Sequence, residues 1–269
     1  MTARRRLDTE LVRRGLAPSR EQAQAVIAAG RVTVGGAPAP KASRLVAAGE
    51  AVEVLGDPPR FVGRGGEKLD AALDRFAVDV RGRRAVDAGA STGGFTDGLL
   101  QRGARHVVAV DVGHGQFDAR LRKDARVTVM ERTNVRSLGA TEAGGEADLV
   151  CADLSFISLR TVAGALIGLV APGGDLIVLV KPQFEAGRVE ASRGGGVIRD
   201  PAVWRRVLEE VRDAFLDKDA AMLDVMVSPL EGAHGNVEFL AHLRRGAGSS
   251  AGVPDLAGIV AEASARQGR

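Results

Sequence analysis

The stretch A-V-D-A-G-A-S-T-G-G-F at residues 85–95 constrains the fold of this chain more than any other. Ala85, Val86 and Asp87 end a short apolar run that reads as a buried strand. Gly89, Gly93 and Gly94 follow, and from Phe95 the spacing of Phe95, Leu99 and Leu100 is helical. A strand, a glycine turn and a helix start bring free backbone N–H groups within reach of a ligand, which makes a nucleotide-cofactor cradle. The glycines are not spaced G-x-G-x-x-G, so a dinucleotide is disfavoured. D-x-G-x-S-x-G-G better suits a cofactor without pyrophosphate, such as S-adenosylmethionine. On this stretch alone, a plain strand-to-helix turn of small residues remains an open alternative.

The surrounding elements extend the pattern. Apolar strands are predicted at residues 85–87, 107–111, 127–130, 148–153 and 176–180, with helices at about 95–102, 159–170 and 202–216. Strands at 222–227 and 237–242 follow with no helix between them, so the last strand is expected to run antiparallel. Continuous apolar strands alternating with helices imply an α/β fold, a mostly parallel sheet covered on both faces. That arrangement resembles the Rossmann-like sheet of class I methyltransferases. A helix from about residue 67 to 76 precedes it, with Lys68 in a first turn where the helix dipole disfavours a cation. Residues 246–269 are rich in small side chains and read as a flexible tail with one weak helix near 256–265.

Residues 1–56 form a separate small α+β module. Leu7, Leu11 and Val12 are helically spaced, and Arg13-Arg14-Gly15 closes that helix. Ser19 is placed to cap a second helix carrying Ala23, Val26 and Ile27, which stops at Gly30. Strands at 31–34 and 51–55 follow. Arg4, Arg5, Arg6, Arg13, Arg14, Arg20 and Arg31 crowd this piece. Two short helices cannot bury seven guanidinium groups, so they form a basic surface that suits a phosphate backbone, or else a merely solvated face. Residues 57–66, opening with Asp57-Pro58-Pro59, read as a linker to a catalytic domain at 67–245.

Composition excludes several classes. The single cysteine, Cys151, rules out a disulfide framework and any cysteine-rich metal site, and within an apolar strand it reads as inert. His106, His114, His234 and His242 have no metal-ligand spacing. No apolar run is long enough to span a bilayer, and the basic N-terminus lacks a hydrophobic stretch, so a cytoplasmic protein without stable membrane association is expected. Aromatic residues make up 3% with no tyrosine, which argues against extensive base stacking on aromatic platforms.

In an open α/β sheet, ligands bind beyond the C-terminal strand ends. Those ends carry Asp87, Asp111, Asp153 and Lys181. Asp111, about 20 residues past the glycine turn, is placed to grip ribose hydroxyls, with an ordinary strand-terminal turn acid as the alternative. Asn134 could reach the adenine side. Lys181 ends the run L-I-V-L-V-K-P; burial disfavours an ammonium ion and favours the neutral amine that can accept a proton. Glu238, near the start of the last strand, could hold a lysine in place. No N-P-P-[FY] tetrapeptide follows the fourth strand; D-L-S-F stands there, favouring methylation at oxygen over an exocyclic nitrogen.

Two family resemblances follow from these residues. R-L-D-x-x-L-V-x-R-G-L-A-x-S-R-x-x-A-x-x-x-I-x-x-G-x-V-x-V, from Arg6 to Val34, resembles an S4-type RNA-binding module, which implies that its helices and hairpin present arginines to structured RNA. Lys68, Asp153, Lys181 and Glu238 resemble the K-D-K-E tetrad of FtsJ-like RNA 2′-O-methyltransferases. With D-A-G-A-S-T-G-G-F, D-L-S-F-I-S, V-K-P-Q-F-E and S-P-x-x-G-x-x-G-N-x-E, the chain from about residue 4 to 243 is similar to the TlyA-type proteins, also called hemolysins. That resemblance implies transfer of a methyl group from S-adenosylmethionine to the ribose 2′-hydroxyl of cytidine in ribosomal RNA, in both subunits given the arginine-bearing N-terminus. Asp87, Gly89, Ser91, Thr92, Gly93, Gly94, Phe95, Asp111, Asn134 and Asp153 would hold the cofactor. Lys181 would take the hydroxyl proton, with Asp153 and Glu238 orienting the two lysines and no metal required. Ribosomal RNA or subunits are the expected partners, and a monomer is favoured. Arg60–Gly63 reads R-F-V-G where some relatives carry R-x-W-V. The rival readings are a membrane-active hemolysin, which liposome leakage by the purified protein tests, and a non-catalytic ribosome-assembly factor, which labelled methyl transfer to rRNA separates.

Overall fold

A computed structural model of the chain describes residues 4–17, 20–57, 59–187, 190, 194–248 and 254–267. It divides into two compact units, Met1–Val62 and Gly63–Arg269. In the first, β1 (Arg5–Arg6) leads into α1 (Leu7–Arg13) and α2 (Arg20–Ala28). The strands β2 (Val32–Val34), β3 (Ala37–Pro38), β4 (Leu45–Val46) and β5 (Val52–Val54) follow. A three-stranded antiparallel sheet in the order β3-β2-β5 and a small β1–β4 pair cover the helices. Leu7, Leu11, Ala23, Ile27, Val32 and Val34 close its core. The cap expected at Ser19 lies outside the described residues.

The second unit opens with α3 (Gly65–Arg75), which starts two residues earlier than the sequence predicts, and continues as a wound α/β sheet. Its strands are β6 (Arg84–Ala88), β7 (His106–Val110), β8 (Val127–Met130), β9 (Ala147–Ala152), β10 (Val170–Val180), β11 (Ala220–Val227) and β12 (Phe239–Arg245). The helices between them are α4 (Gly94–Gln101), α5 (Ala119–Arg122), α6 (Leu159–Leu169), α7 (Pro182–Glu185) and α8 (Pro201–Leu216). The strand order is β11-β12-β10-β9-β6-β7-β8, and β12 pairs antiparallel with both its neighbours. This is the mostly parallel methyltransferase sheet with an antiparallel last strand. Chain order runs outward from β6 through β7 to β8 and then returns to β9 on the other side of β6. The order therefore reverses at β6 and β9, and a ligand crevice forms beyond the C-terminal ends of these strands. Asp87 and Asp153 stand there.

The sheet is buried because its strands are continuous runs of Val, Leu, Ile and Ala. Val86, Val150, Val178 and Ala241 are all solvent-inaccessible. The C-terminal region departs from expectation. Helix α9 (Leu256–Gln267) packs on α8 and β11, and Leu256, Val260 and Ala263 belong to the main core. It is a docked element rather than a flexible tail, because an i, i+4, i+7 apolar stripe survives among its small residues. Among the described residues, no helix is long and apolar enough to cross a membrane.

Candidate active site

The glycine turn leaves β6 in backbone conformations that side chains resist. Gly89 has φ 87°, and a β-carbon there would stand 2.4 Å from the Asp153 carbonyl oxygen. Gly93 caps α4 at φ 99°, and Ser91 adopts φ 49° without being glycine. Left-handed backbone of this kind is held only where neighbours over-determine it, and it gathers at functional sites. Gly89 and Ala90 both donate their N–H groups to the Val110 carbonyl, which pins the turn to β7.

Asp87 is completely buried below this turn. Its Oδ2 accepts from Thr96 N at 2.9 Å and Thr96 Oγ1 at 2.7 Å, so the strand acid caps the first turn of α4. Its Oδ1 has no hydrogen-bond partner. Burial pushes this carboxyl up to about 7. Asp111 lies at the next strand end, where its Oδ2 accepts from Ser91 N at 2.7 Å. Its Oδ1 accepts from Gly113 N at 2.6 Å and Gln116 Nε2 at 3.3 Å. Asp111 thus joins the glycine turn to the loop after β7. Asn134 is exposed and caps a short helical turn, accepting from Arg136 N at 3.0 Å. Phe95 is buried in α4, and Thr92 and Gly94 face the chain that enters α3: β-carbons on Gly63 and Gly94 would meet Thr92 Oγ1 at 2.7 Å and Gly66 N at 3.0 Å.

The four charged residues singled out in the sequence form two ion pairs. Lys181 Nζ lies 2.6 Å from Asp153 Oδ1 and donates to Ser155 Oγ at 3.0 Å. Lys68 Nζ donates to Glu238 Oε2 at 2.5 Å. Both lysines are buried in their ion pairs, and no third carboxylate pairs with either among the described residues. Asp153 N donates to the Ala88 carbonyl, tying this acid to the strand that carries Asp87. A β-carbon on Gly65 would sit 3.2 Å from the Phe95 ring and 3.8 Å from Asp153 Oδ2, so the start of α3 lies against the cradle. That approach brings the helix carrying Lys68 to the strand ends and explains a cation in its first turn.

Several site residues carry no signal in composition or spacing. Thr96, Ser155 and Gln116 are identified only by their contacts, although Ser155 stands in D-L-S-F. Phe184 lies 5.2 Å from the ring of Phe156, a residue at φ 62° that is 90% exposed, and Lys181 Nζ stands 5.8 Å from the Phe184 ring. Glu185 is buried and accepts from Ser158 Oγ at 2.5 Å and Leu159 N at 2.6 Å. It anchors α6 beneath the loop after β9. Cys151 is fully buried and its thiol is pushed up by burial, so it is no nucleophile. Among the described residues, no cluster of His, Cys, Asp or Glu has the make-up of a metal site.

In the N-terminal unit the arginines are not a bare solvated face. Asp8, fully buried, accepts from Arg6 Nε and Nη2 at 3.1 and 2.9 Å, from Arg20 at 3.1 Å and from Gln24 at 3.0 Å. Glu10, almost as buried, accepts from Arg13 at 2.7 and 2.5 Å and from Arg14 at 2.7 Å. The arginines hold the Asp8 carboxyl well below its ordinary range and bring Glu10 down to about 2. Arg31 donates to the Leu55 and Asp57 carbonyls, and Arg4 and Arg5 are exposed.

Comparison with known proteins matches both units. Residues 61–245 match the FtsJ-like methyltransferases and residues 5–52 match the S4 domain, so fold and site define an S4-bearing methyltransferase. The chain is 50% identical over 245 residues to the 16S/23S rRNA (cytidine-2′-O)-methyltransferase TlyA of Mycobacterium tuberculosis, covering 91% of each. It is 36% identical over 238 residues to Hemolysin A of Brachyspira hyodysenteriae, covering 88% of this chain and 98% of that protein. A solved structure of a Streptococcus thermophilus protein, described as a hemolysin, superposes with a TM-score of 0.79 at 37% identity, covering 100% of this chain and 99% of the other. The chain belongs to the TlyA family of FtsJ-like methyltransferases.

Proposed function

We propose that this protein transfers a methyl group from S-adenosylmethionine to the 2′-hydroxyl of a cytidine ribose in ribosomal RNA, in both 16S and 23S rRNA as the M. tuberculosis relative's name describes. The observation that carries the reading is the pair of lysine–carboxylate contacts, Lys181–Asp153 and Lys68–Glu238, at the end of the sheet that holds the glycine turn. The cradle suits this cofactor. It offers no arginine or lysine for a pyrophosphate within residues 87–95, and Asp87 keeps one buried oxygen without a protein partner, which suits a positively charged ligand. Gly89, Ser91, Thr92, Gly93, Gly94 and Phe95 would line it, with Asp111 on the ribose side and Asn134 toward the adenine. When bound, S-adenosylmethionine supplies an activated methyl group on a good leaving group.

The chain's own residues then have alignment and proton handling to perform. Lys181, as the neutral amine left once its own proton has passed to Asp153, accepts the hydroxyl proton as the ribose oxygen becomes nucleophilic. Asp153 and Ser155 fix the position of its Nζ, and Glu238 fixes that of Lys68. Arg4, Arg5, Arg6, Arg13 and Arg20 contact RNA phosphates, with Asp8 orienting Arg6 and Arg20 and Glu10 orienting Arg13. Arg14 and Arg31 turn their guanidinium groups to carbonyl oxygens of the module itself and serve to brace it. Labelled methyl transfer to purified rRNA, followed by mapping of 2′-O-methylated positions, tests the proposal. Lys181→Ala is expected to lower transfer by at least about 100-fold while leaving cofactor affinity intact. Full activity in that variant, or methylation found on a base, would overturn it.

A further inference from the structure

Glu238 owes its place to a residue with no side chain. Its carboxylate is 3% exposed and gives Oε2 to Lys68. Its other face rests on Gly232, in the loop between β11 and β12. A β-carbon on Gly232 would stand 2.1 Å from Oε1, 2.6 Å from Cδ and 3.2 Å from Cγ of Glu238, where ordinary contact begins at 3.4 Å. Backbone conformation does not call for glycine there. Gly235, three residues on, needs its φ of 79°, whereas φ of Gly232 lies outside the left-handed region. What glycine supplies at 232 is space.

The tip of the loop is exposed, but hydrogen bonds at its buried base resist its yielding that space. Gly232 N donates to the Asn236 carbonyl at 2.8 Å, and Ser228 N donates to the Glu238 carbonyl at 2.8 Å. The Asn236 side chain, 2% exposed, accepts from Ile198 N at 3.1 Å and donates to the Gly196 carbonyl at 2.9 Å. Lifting the turn would strand these buried groups, whereas the carboxylate can rotate. A side chain at 232 therefore displaces the carboxylate, and with it the partner of Lys68.

We propose that Gly232 is a positioning residue for methyl transfer, its missing side chain forming the seat of the Glu238 carboxylate and, through it, setting the Lys68 ammonium. This rests on the catalytic reading of the Lys68–Glu238 pair given above.

Gly232→Ala, Glu238→Ala and the double variant, made in the full chain, test it through kcat and KM for rRNA, cofactor binding and thermal melting. Gly232→Ala is expected to lower kcat by about 100-fold, the loss that a displacement near 1 Å produces, with KM and cofactor affinity unchanged. In the Glu238→Ala background it adds no further loss, since it acts only through that carboxylate. A wild-type rate in Gly232→Ala, or losses that multiply in the double variant, would overturn the seat. If Glu238→Ala itself retains the full rate, the catalytic reading of the pair fails instead. A crystal structure of Gly232→Ala then decides the seat alone: a displaced carboxylate parted from Lys68 upholds it, and an unmoved carboxylate over a shifted loop refutes it.

Discussion

Asp87 makes stability depend on pH in a direction opposite to most carboxylates. It is fully buried, one oxygen is bonded to Thr96 and the other has no partner, and burial raises it from the ordinary 3.8 to about 7. Between these values the folded chain keeps a proton that the unfolded chain has lost. The group's contribution to stability is thus fully present below pH 3.8 and is lost as pH rises toward 7. At about 1.36 kcal/mol for each pH unit the loss reaches at most about 4 kcal/mol. Asp87→Asn removes the titration while its amide oxygen still accepts from Thr96. The amide NH2 occupies the position of the unpartnered oxygen, leaving a donor unpaired at about 1–3 kcal/mol. Below pH 4 the protonated acid carries a comparable unpaired donor, so the two proteins have similar stability there. At pH 8 the variant is expected to be the more stable by up to about 4 kcal/mol. Urea unfolding of both proteins without cofactor, from pH 4 to pH 8, measures this as a difference. Asp8 and Asp175, whose carboxyls are held low by hydrogen-bonded partners, act in the opposite sense at more acidic pH and cancel between the two proteins. Parallel stability curves across pH 4–7 would refute the reasoning.

Two further perturbations test the frame of the site. Gly89→Ala places a β-carbon 2.4 Å from a backbone oxygen of Asp153 at φ 87°, where neither side can yield, so cofactor binding is lost and stability falls by about 1–3 kcal/mol; calorimetric titration and melting check it, and wild-type affinity would refute it. Ending the chain at residue 248 removes α9 and uncovers the core beneath Leu256 and Val260, which is expected to lower unfolding free energy by about 3 kcal/mol or more; an unchanged urea midpoint would show that α9 is not part of the fold.

Local chemistry in the sequence reveals much of this protein, and long-range pairing much less. The glycine turn, the apolar strands and the charges at their ends are legible because each is a property of adjacent residues. The antiparallel last strand was legible from a missing helix. Its insertion between β10 and β11 was not, because register and strand order depend on residues far apart in sequence. Lys68 and Glu238 are 170 residues apart, and only the fold shows that they pair with each other while Lys181 pairs with Asp153. The C-terminal helix is legible in the sequence, but its docking on the core is not, because alanine and glycine dilute its three-residue apolar stripe. The burial of Asp8 and Glu10 is not legible for a related reason: a charged residue in a short helix is normally solvated, and burial becomes plain only once the arginines close over it.

Those two acids change what the arginine count means. Arg6 and Arg20 share Asp8, and Arg13 and Arg14 share Glu10, so four cations stand over two buried anions and the cluster carries half the charge that its arginines alone would. A weaker field lowers indiscriminate attraction to any polyanion, since that attraction scales with the phosphates neutralised. Specific binding gains by another route. A free arginine surrenders about 2 kcal/mol of rotamer entropy when it is fixed on a phosphate. An arginine already held by a buried carboxylate has surrendered much of it during folding, and the ligand finds its donors in place. The N-terminal unit therefore exchanges raw charge for fixed geometry. On the RNA-binding role proposed above, that exchange suits the recognition of one folded RNA among many, with Asp8 and Glu10 fixing the arginines from beneath.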